Sequence, residues 1–100
     1  MFVTTFANGV ATDAAELLYA GQRPLSLSAG NAKSGAPAWK TIGSWYVLGN
    51  SDNIIPAERQ EFMAERAGAA ITRVDAGHLS MISQPDTVAE VIRDAAGKAL

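Results

Sequence analysis

The sequence contains no cysteine, and its 100 residues include a single histidine, His78. The first absence removes a disulfide framework, a thiolate nucleophile and any Cys-based zinc site, and the second removes a His-rich metal cluster. Long apolar runs are missing as well: nothing approaches the roughly 18 to 20 residues that span a bilayer. The opening Met1-Phe2-Val3-Thr4-Thr5-Phe6 has neither a positive n-region nor a continuous apolar core, so it does not resemble a secretory signal. Lys and Arg number 8 against 10 Asp and Glu, a formal charge of −2, and no basic cluster occurs. Phosphate recognition needs concentrated positive charge, so nucleic acid and an anionic membrane surface are disfavoured partners. The expectation is a soluble, cytoplasmic protein. The chemistry left is that of hydroxyls, carboxylates and one imidazole.

What is present is globular. The chain is 48% apolar and 18% charged, and its length suits one small domain or part of one, because domains cluster near ~100 to 150 residues. Asp13-Ala14-Ala15-Glu16 has the spacing of a capping box and predicts a short helix to about Ala20, with Gly21 as its stop. Leu25 to Ala29 predicts one more turn. From Gly30 to Gly43 the composition shifts to Gly, Ala, Ser, Asn, Lys and Pro, which reads as a connector.

Ser44-Trp45-Tyr46-Val47-Leu48 is apolar without alternation, as suits a strand of a parallel sheet covered on both faces. Pro56 suits a helix start, with Phe62, Met63 and Ala67 as its apolar face and Gly68 as its end. Ala70 to Val74 reads as a second strand, completing a βαβ unit. Ser83 is a candidate cap for a last helix near Pro85, which should end at Gly97. Val88, Val91, Ile92 and Ala95 give that helix one apolar stripe. Two parallel strands this apolar expect further neighbours, so the sequence looks like the end of a larger sheet.

Asp52 and His78 each follow the carboxyl end of a strand, the edge where open parallel sheets place ligand sites. Neighbouring strands lie ~4.8 Å apart, so the two loops can bring a carboxylate to an imidazole. Such a carboxylate fixes the tautomer and leaves the second ring nitrogen free to take a proton from a hydroxyl. Asp52 also suits a turn residue or a helix cap. Trp39, Trp45 and Tyr46 read as core, and Glu58, Glu61 and Glu65 with Arg59 and Arg66 as a solvated helix face.

Gly49-Asn50-Ser51-Asp52-Asn53-Ile54-Ile55-Pro56 resembles the G-x-x-D-x-x-[IV]-P turn that carries the acid of the α/β-hydrolases. Asp75-Ala76-Gly77-His78-Leu79-Ser80-Met81 resembles the segment that delivers their histidine. Gln84-Pro85 with the following helix looks like the one that closes the fold. Gln22-Arg23-Pro24 and Ala36-Pro37-Ala38-Trp39-Lys40-Thr41-Ile42 resemble the return from cap to core in small bacterial, esterase-like members. The resemblance implies an α/β architecture made of the carboxyl-terminal part of a hydrolase sheet. Residues 1–43 would form the cap return and connector, and residues 44–100 the sheet end with acid and base. It further implies hydrolysis of an ester or similar acyl bond of a small molecule, without cofactor or metal. Asp52 and His78 would be catalytic; Leu79 and Met81, by their place beside the histidine, are the candidates for substrate binding.

The family's G-x-S-x-G nucleophile elbow does not occur in these residues. Ser26-Leu27-Ser28-Ala29-Gly30 comes closest, but position 26 is Ser where Gly is expected, and no buried strand precedes it. The expectation is a hydrolase portion inactive by itself, which pairs with a missing amino-terminal portion or self-associates through an exposed sheet edge. The alternative is a non-catalytic binding or assembly module derived from the same fold. An independently stable αβ domain with an unrelated role is a third possibility.

Overall fold

The computed structural model describes residues 1–99. Ahead of the first strand the chain is built of helical turns. A π-helical turn spans Phe2–Phe6, α1 spans Thr12–Ala20, and the short α2 spans Leu27–Asn31. The capping box expected at Asp13 does not form. Helix α1 starts one residue earlier, with Ala11 at its cap, and Asp13 accepts from its neighbour Ala14 instead. A carboxylate inside the first turn still favours the helix through the positive end of its dipole. Residues 2–6, for which the sequence predicted no element, pack against α1. Ala7 and Ala15 are fully buried.

Two strands, β1 (Trp45–Gly49) and β2 (Ala70–Val74), pair in parallel with Trp45 opposite Ala70 and Gly49 opposite Val74. The crossover is α3 (Ala57–Arg66), capped by Pro56 and closed by Gly68 at φ +63°, a conformation that glycine adopts without a Cβ penalty. Its buried residues are Gln60 and Ala64, whereas Phe62 is 59% exposed, so the expected stripe is displaced around the helix. The reason is polar: Gln60 is drawn inward by the backbone groups at the end of β1. The chain then makes α4 (Ser80–Ser83) and α5 (Pro85–Ala99), and α5 packs against β1.

Ser83 lies in α4, and its buried hydroxyl has no hydrogen-bond partner, so it does not cap α5. Gly97 does not stop α5, which runs on to Ala99 with Lys98 paired to Asp94 one turn back. Of the apolar stripe on α5, Ile92 is largely exposed while Val88, Val91 and Ala95 are half-buried. The core is correspondingly small. Leu48 is its largest fully buried side chain, joined by Ala64, Val74 and Ala76, while Leu25 and Leu27 are 78% and 83% exposed.

Candidate active site

The site is assembled where the segments leaving β1 and β2 hydrogen-bond to each other. Asn50 N–H donates to the Val74 carbonyl at 2.9 Å and Ser51 N–H to the Ala76 carbonyl at 3.1 Å. This close approach needs a residue without a side chain at position 49. A Cβ on Gly49 would stand 2.7 Å from the Ala76 oxygen and 2.8 Å from that of Gly77. The two loops therefore run side by side, and Asp52 and His78 meet.

Asp52 Oδ2 lies 2.9 Å from His78 Nδ1. The other oxygen, Oδ1, accepts from the backbone N–H groups of Ile54 at 2.7 Å and Ile55 at 3.0 Å. The sequence left open whether Asp52 is a turn residue or an acid; Oδ1 makes the turn contacts, and Oδ2 is the oxygen that faces the imidazole. It does not cap α3, whose cap is Pro56. The Asp52 side chain is 5% exposed and that of His78 26%. Burial pushes the Asp52 carboxyl upward, but the Ile55 amide, His78 and the Ile54 amide favour the ionised form more strongly and hold it below its ordinary value. Desolvation, then the nearby Asp52 charge, raises the Tyr46 phenol.

An ionised carboxylate only accepts, so Nδ1 of His78 carries the proton facing it. In the neutral imidazole, Nε2 then holds a free lone pair. This is the state a general base requires.

Four contributors, Gln60, Asn8, Asn53 and Phe6, went unread in the sequence. Gln60 is 3% exposed and reaches both ends of the acid's turn. Its position four residues before Ala64 puts the two on one face of α3, a spacing that could have marked it as buried. Asn8 donates from Nδ2 to the Ser51 carbonyl at 2.6 Å, and Asn53 donates from its own Nδ2 to the Thr4 carbonyl at 3.2 Å, fastening the amino-terminal segment to the acid's turn. Phe6 places its ring 4.9 Å from that of His78, tilted by 55°. Phe2 and Tyr19 continue this aromatic row.

A cleft of about 670 Å³ opens beside the row, lined by Phe2, Val3, Phe6, Tyr19 and Ile54 among others. Leu79 and Met81 do not line it. Leu79 is half-buried just ahead of α4, and Met81 in α4 is half exposed. Ser28 is exposed on α2 with its hydroxyl 2.7 Å from that of Ser26, and it makes no hydrogen bond to His78. Trp39 is half-buried beside the cations of Lys40 and Arg66, at 5.8 and 5.5 Å from its ring. Among the described residues no group of three His, Asp or Glu is placed to hold a metal ion. None of their helices is long and apolar enough to cross a membrane.

No solved structure matches the chain. It is similar to the alpha/beta hydrolase nvfD of Aspergillus novofumigatus, 38% identical over 65 residues, which cover 63% of this chain and 26% of that protein. The chain thus spans about a quarter of the length of the curated relative it matches. The model of the alpha/beta hydrolase family matches residues 1–91, from the Phe6 segment through both strands and into α5. The parallel strands, the acid turn and the histidine loop fall inside that match, and the chain belongs to the alpha/beta hydrolase family.

Proposed function

We propose that this chain supplies the acid and base of a Ser-His-Asp hydrolase site acting on an ester or similar acyl bond of a small molecule. The observation that carries this reading is the 2.9 Å contact between Asp52 Oδ2 and His78 Nδ1 at the carboxyl edge of a parallel strand pair. In this mechanism Nε2 of His78 takes the proton of an attacking serine hydroxyl and later returns it to the leaving alcohol. Asp52 stays ionised, orients the ring and stabilises the imidazolium. The apolar cleft beside Phe6 suits the hydrocarbon part of a substrate, since its volume falls in the usual range for small ligands, about 300 to 1,000 Å³. Leu79, next to His78, and Met81, in α4, are the residues we propose to meet a substrate group that approaches the ring from outside the cleft.

The serine is not in a nucleophile elbow within these 100 residues. It comes from another part of the complete protein or from a partner chain. The large exposed side chains of Leu17, Leu25, Leu27 and Ile42 support that view, because isolated soluble domains rarely present so much apolar surface. The 100 residues by themselves should therefore show negligible hydrolysis.

The test joins the chain to the coding sequence upstream of Met1 and assays p-nitrophenyl esters. Hydrolysis by the joined protein, reduced on the order of 10⁴-fold or more in His78→Ala, is expected. A joined protein with an intact elbow and no esterase activity would favour a binding or assembly module. Robust, His78-dependent hydrolysis by the 100 residues alone would sink the division of the site.

A further inference from the structure

Gln60 makes every one of its side-chain hydrogen bonds to the segment that carries Asp52. Its Oε1 accepts from the Gly49 N–H at 3.3 Å. Its Nε2 donates to the carbonyls of Gly49 at 3.2 Å and Ile55 at 2.7 Å, and to Asp52 Oδ2 at 3.3 Å. Two amide protons thus serve three acceptors, and the reverse orientation of the amide would set its oxygen against all three. Gly49 ends β1 and Ile55 precedes the cap of α3, so one side chain joins the two ends of the turn that holds Asp52.

Holding the two carbonyls alone would make Gln60 a structural residue, since buried backbone groups require partners. Its fourth contact changes that. Gln60 approaches the same oxygen, Oδ2, that receives the Nδ1 proton of His78. With Oδ1 held by the Ile54 and Ile55 amides, a second donor at Oδ2 removes the remaining rotational freedom of the carboxylate. A carboxylate fixed in this way presents Oδ2 in one direction only.

We propose that Gln60 is a positioning residue of the acid–base pair: it aims Asp52 Oδ2 at His78 Nδ1, selects the Nδ1–H tautomer and so keeps Nε2 available as the base. The inference rests on reading Asp52 and His78 as acid and base, but its test needs no turnover. The tautomer of His78 is read by nitrogen-15 NMR on the full chain at about pH 8.5, two units above the ordinary histidine value. The chain has one histidine, and the signal is confirmed by its disappearance in His78→Gln.

The wild-type protein should show a dominant Nδ1–H form with a downfield, slowly exchanging proton. Gln60→Met, matched in length but without donors, should lose that dominance and approach the mixture of an unconstrained imidazole. Gln60→Leu, which likewise has no donor, should do the same. Either variant with native amide dispersion and the wild-type tautomer overturns the role of Gln60.

Should neither variant fold, the wild-type chain decides. Support requires Gln60 side-chain amide exchange slowed at least about tenfold, together with an Overhauser contact to the His78 Nδ1 proton. Exchange as fast as that of an exposed glutamine overturns the proposal. A wild-type chain without any Nδ1–H preference would instead sink the acid–base pair itself, which separates the two failures. In the joined, active protein, Gln60→Met should lower kcat with little change in KM.

Discussion

Gly77 leaves open the space that Asn8 fills: a Cβ at position 77 would overlap the Asn8 backbone carbonyl and stand 2.6 Å from its Oδ1. The contact joins residues far apart in the chain, and it lies next to His78. Gly77→Ala must therefore push the amino-terminal segment away, release Asn8 from Ser51 and move the histidine loop. Overpacking against backbone cannot be relieved by a rotamer change, so the cost should reach about 3 kcal/mol, the upper end for such substitutions. Urea unfolding of Gly77→Ala beside Gly35→Ala checks this, because nothing lies within 4 Å of a Cβ at Gly35. Equal midpoints for the two variants would contradict the packing described.

Much of this arrangement was legible in the sequence, and the exceptions have physical causes. β1, α3 and β2 follow from an apolar run, a proline start and a glycine stop, all local signals. Asp52 and His78 were legible because strand ends in a parallel sheet converge on one edge. Asn8 and Phe6 were not, since their partners Ser51 and His78 are distant in the chain and no periodicity marks a residue as the neighbour of a loop. Gln60 was passed over in favour of Phe62 because hydrophobicity ranks the two in the wrong order when the buried surface consists of backbone carbonyls. Gly97 and Ser83 misled for a related reason: caps and stops are tendencies of a few tenths to about 1 kcal/mol, which neighbouring turns override.

Asp52→Asn and Asp52→Ala should separate the two tasks of this residue. Asparagine can keep an oxygen for the Ile54 and Ile55 amides while losing the charge that faces His78. Asp52→Asn should therefore lose stability through Oδ2 alone, whereas Asp52→Ala should lose about 1 to 2 kcal/mol more, with the turn. In the joined hydrolase, both should lower kcat, Asp52→Asn on the order of 10⁴-fold. Thermal unfolding and ester hydrolysis, measured on the same preparations, provide the check. A stability loss shared equally by the two variants would rule out the division of labour between Oδ1 and Oδ2.

The pH dependence follows from the direction of the Asp52 shift. Its carboxyl titrates below the ordinary 3.8 in the folded protein, so the unfolded chain binds a proton more readily. The stabilisation is fully present above that ordinary value and is lost as pH falls through the lower, folded value. The acid limb of the stability curve should therefore be steeper in the wild type than in Asp52→Asn, which has no carboxylate to titrate. Urea midpoints recorded between about pH 5 and pH 2 measure the difference. Parallel acid limbs would mean that Asp52 is not held in its ionised form by folding.

Phe6 joins the cleft to His78, because the ring that stands 4.9 Å from the imidazole is also part of the cleft wall. Phe6→Ala removes a half-buried aromatic, and roughly 2 kcal/mol of stability should go with it, below the range for a fully buried phenylalanine. The larger consequence concerns selection. If the cleft receives the hydrocarbon part of the substrate, widening it next to Nε2 should favour longer chains, and room for one more methylene, at about 1.4 kcal/mol, is a change of roughly tenfold. The ratio of kcat/KM for an octanoate to that for an acetate p-nitrophenyl ester should rise by that factor in the joined protein. Phe2→Ala, which alters the cleft without touching His78, should shift the ratio in the same direction with less effect on kcat. Leu27→Ala, at an exposed position outside the cleft, should leave it unchanged. A ratio unmoved in both phenylalanine variants would place the substrate elsewhere, and the surface around Leu79 and Met81 would be the next to test.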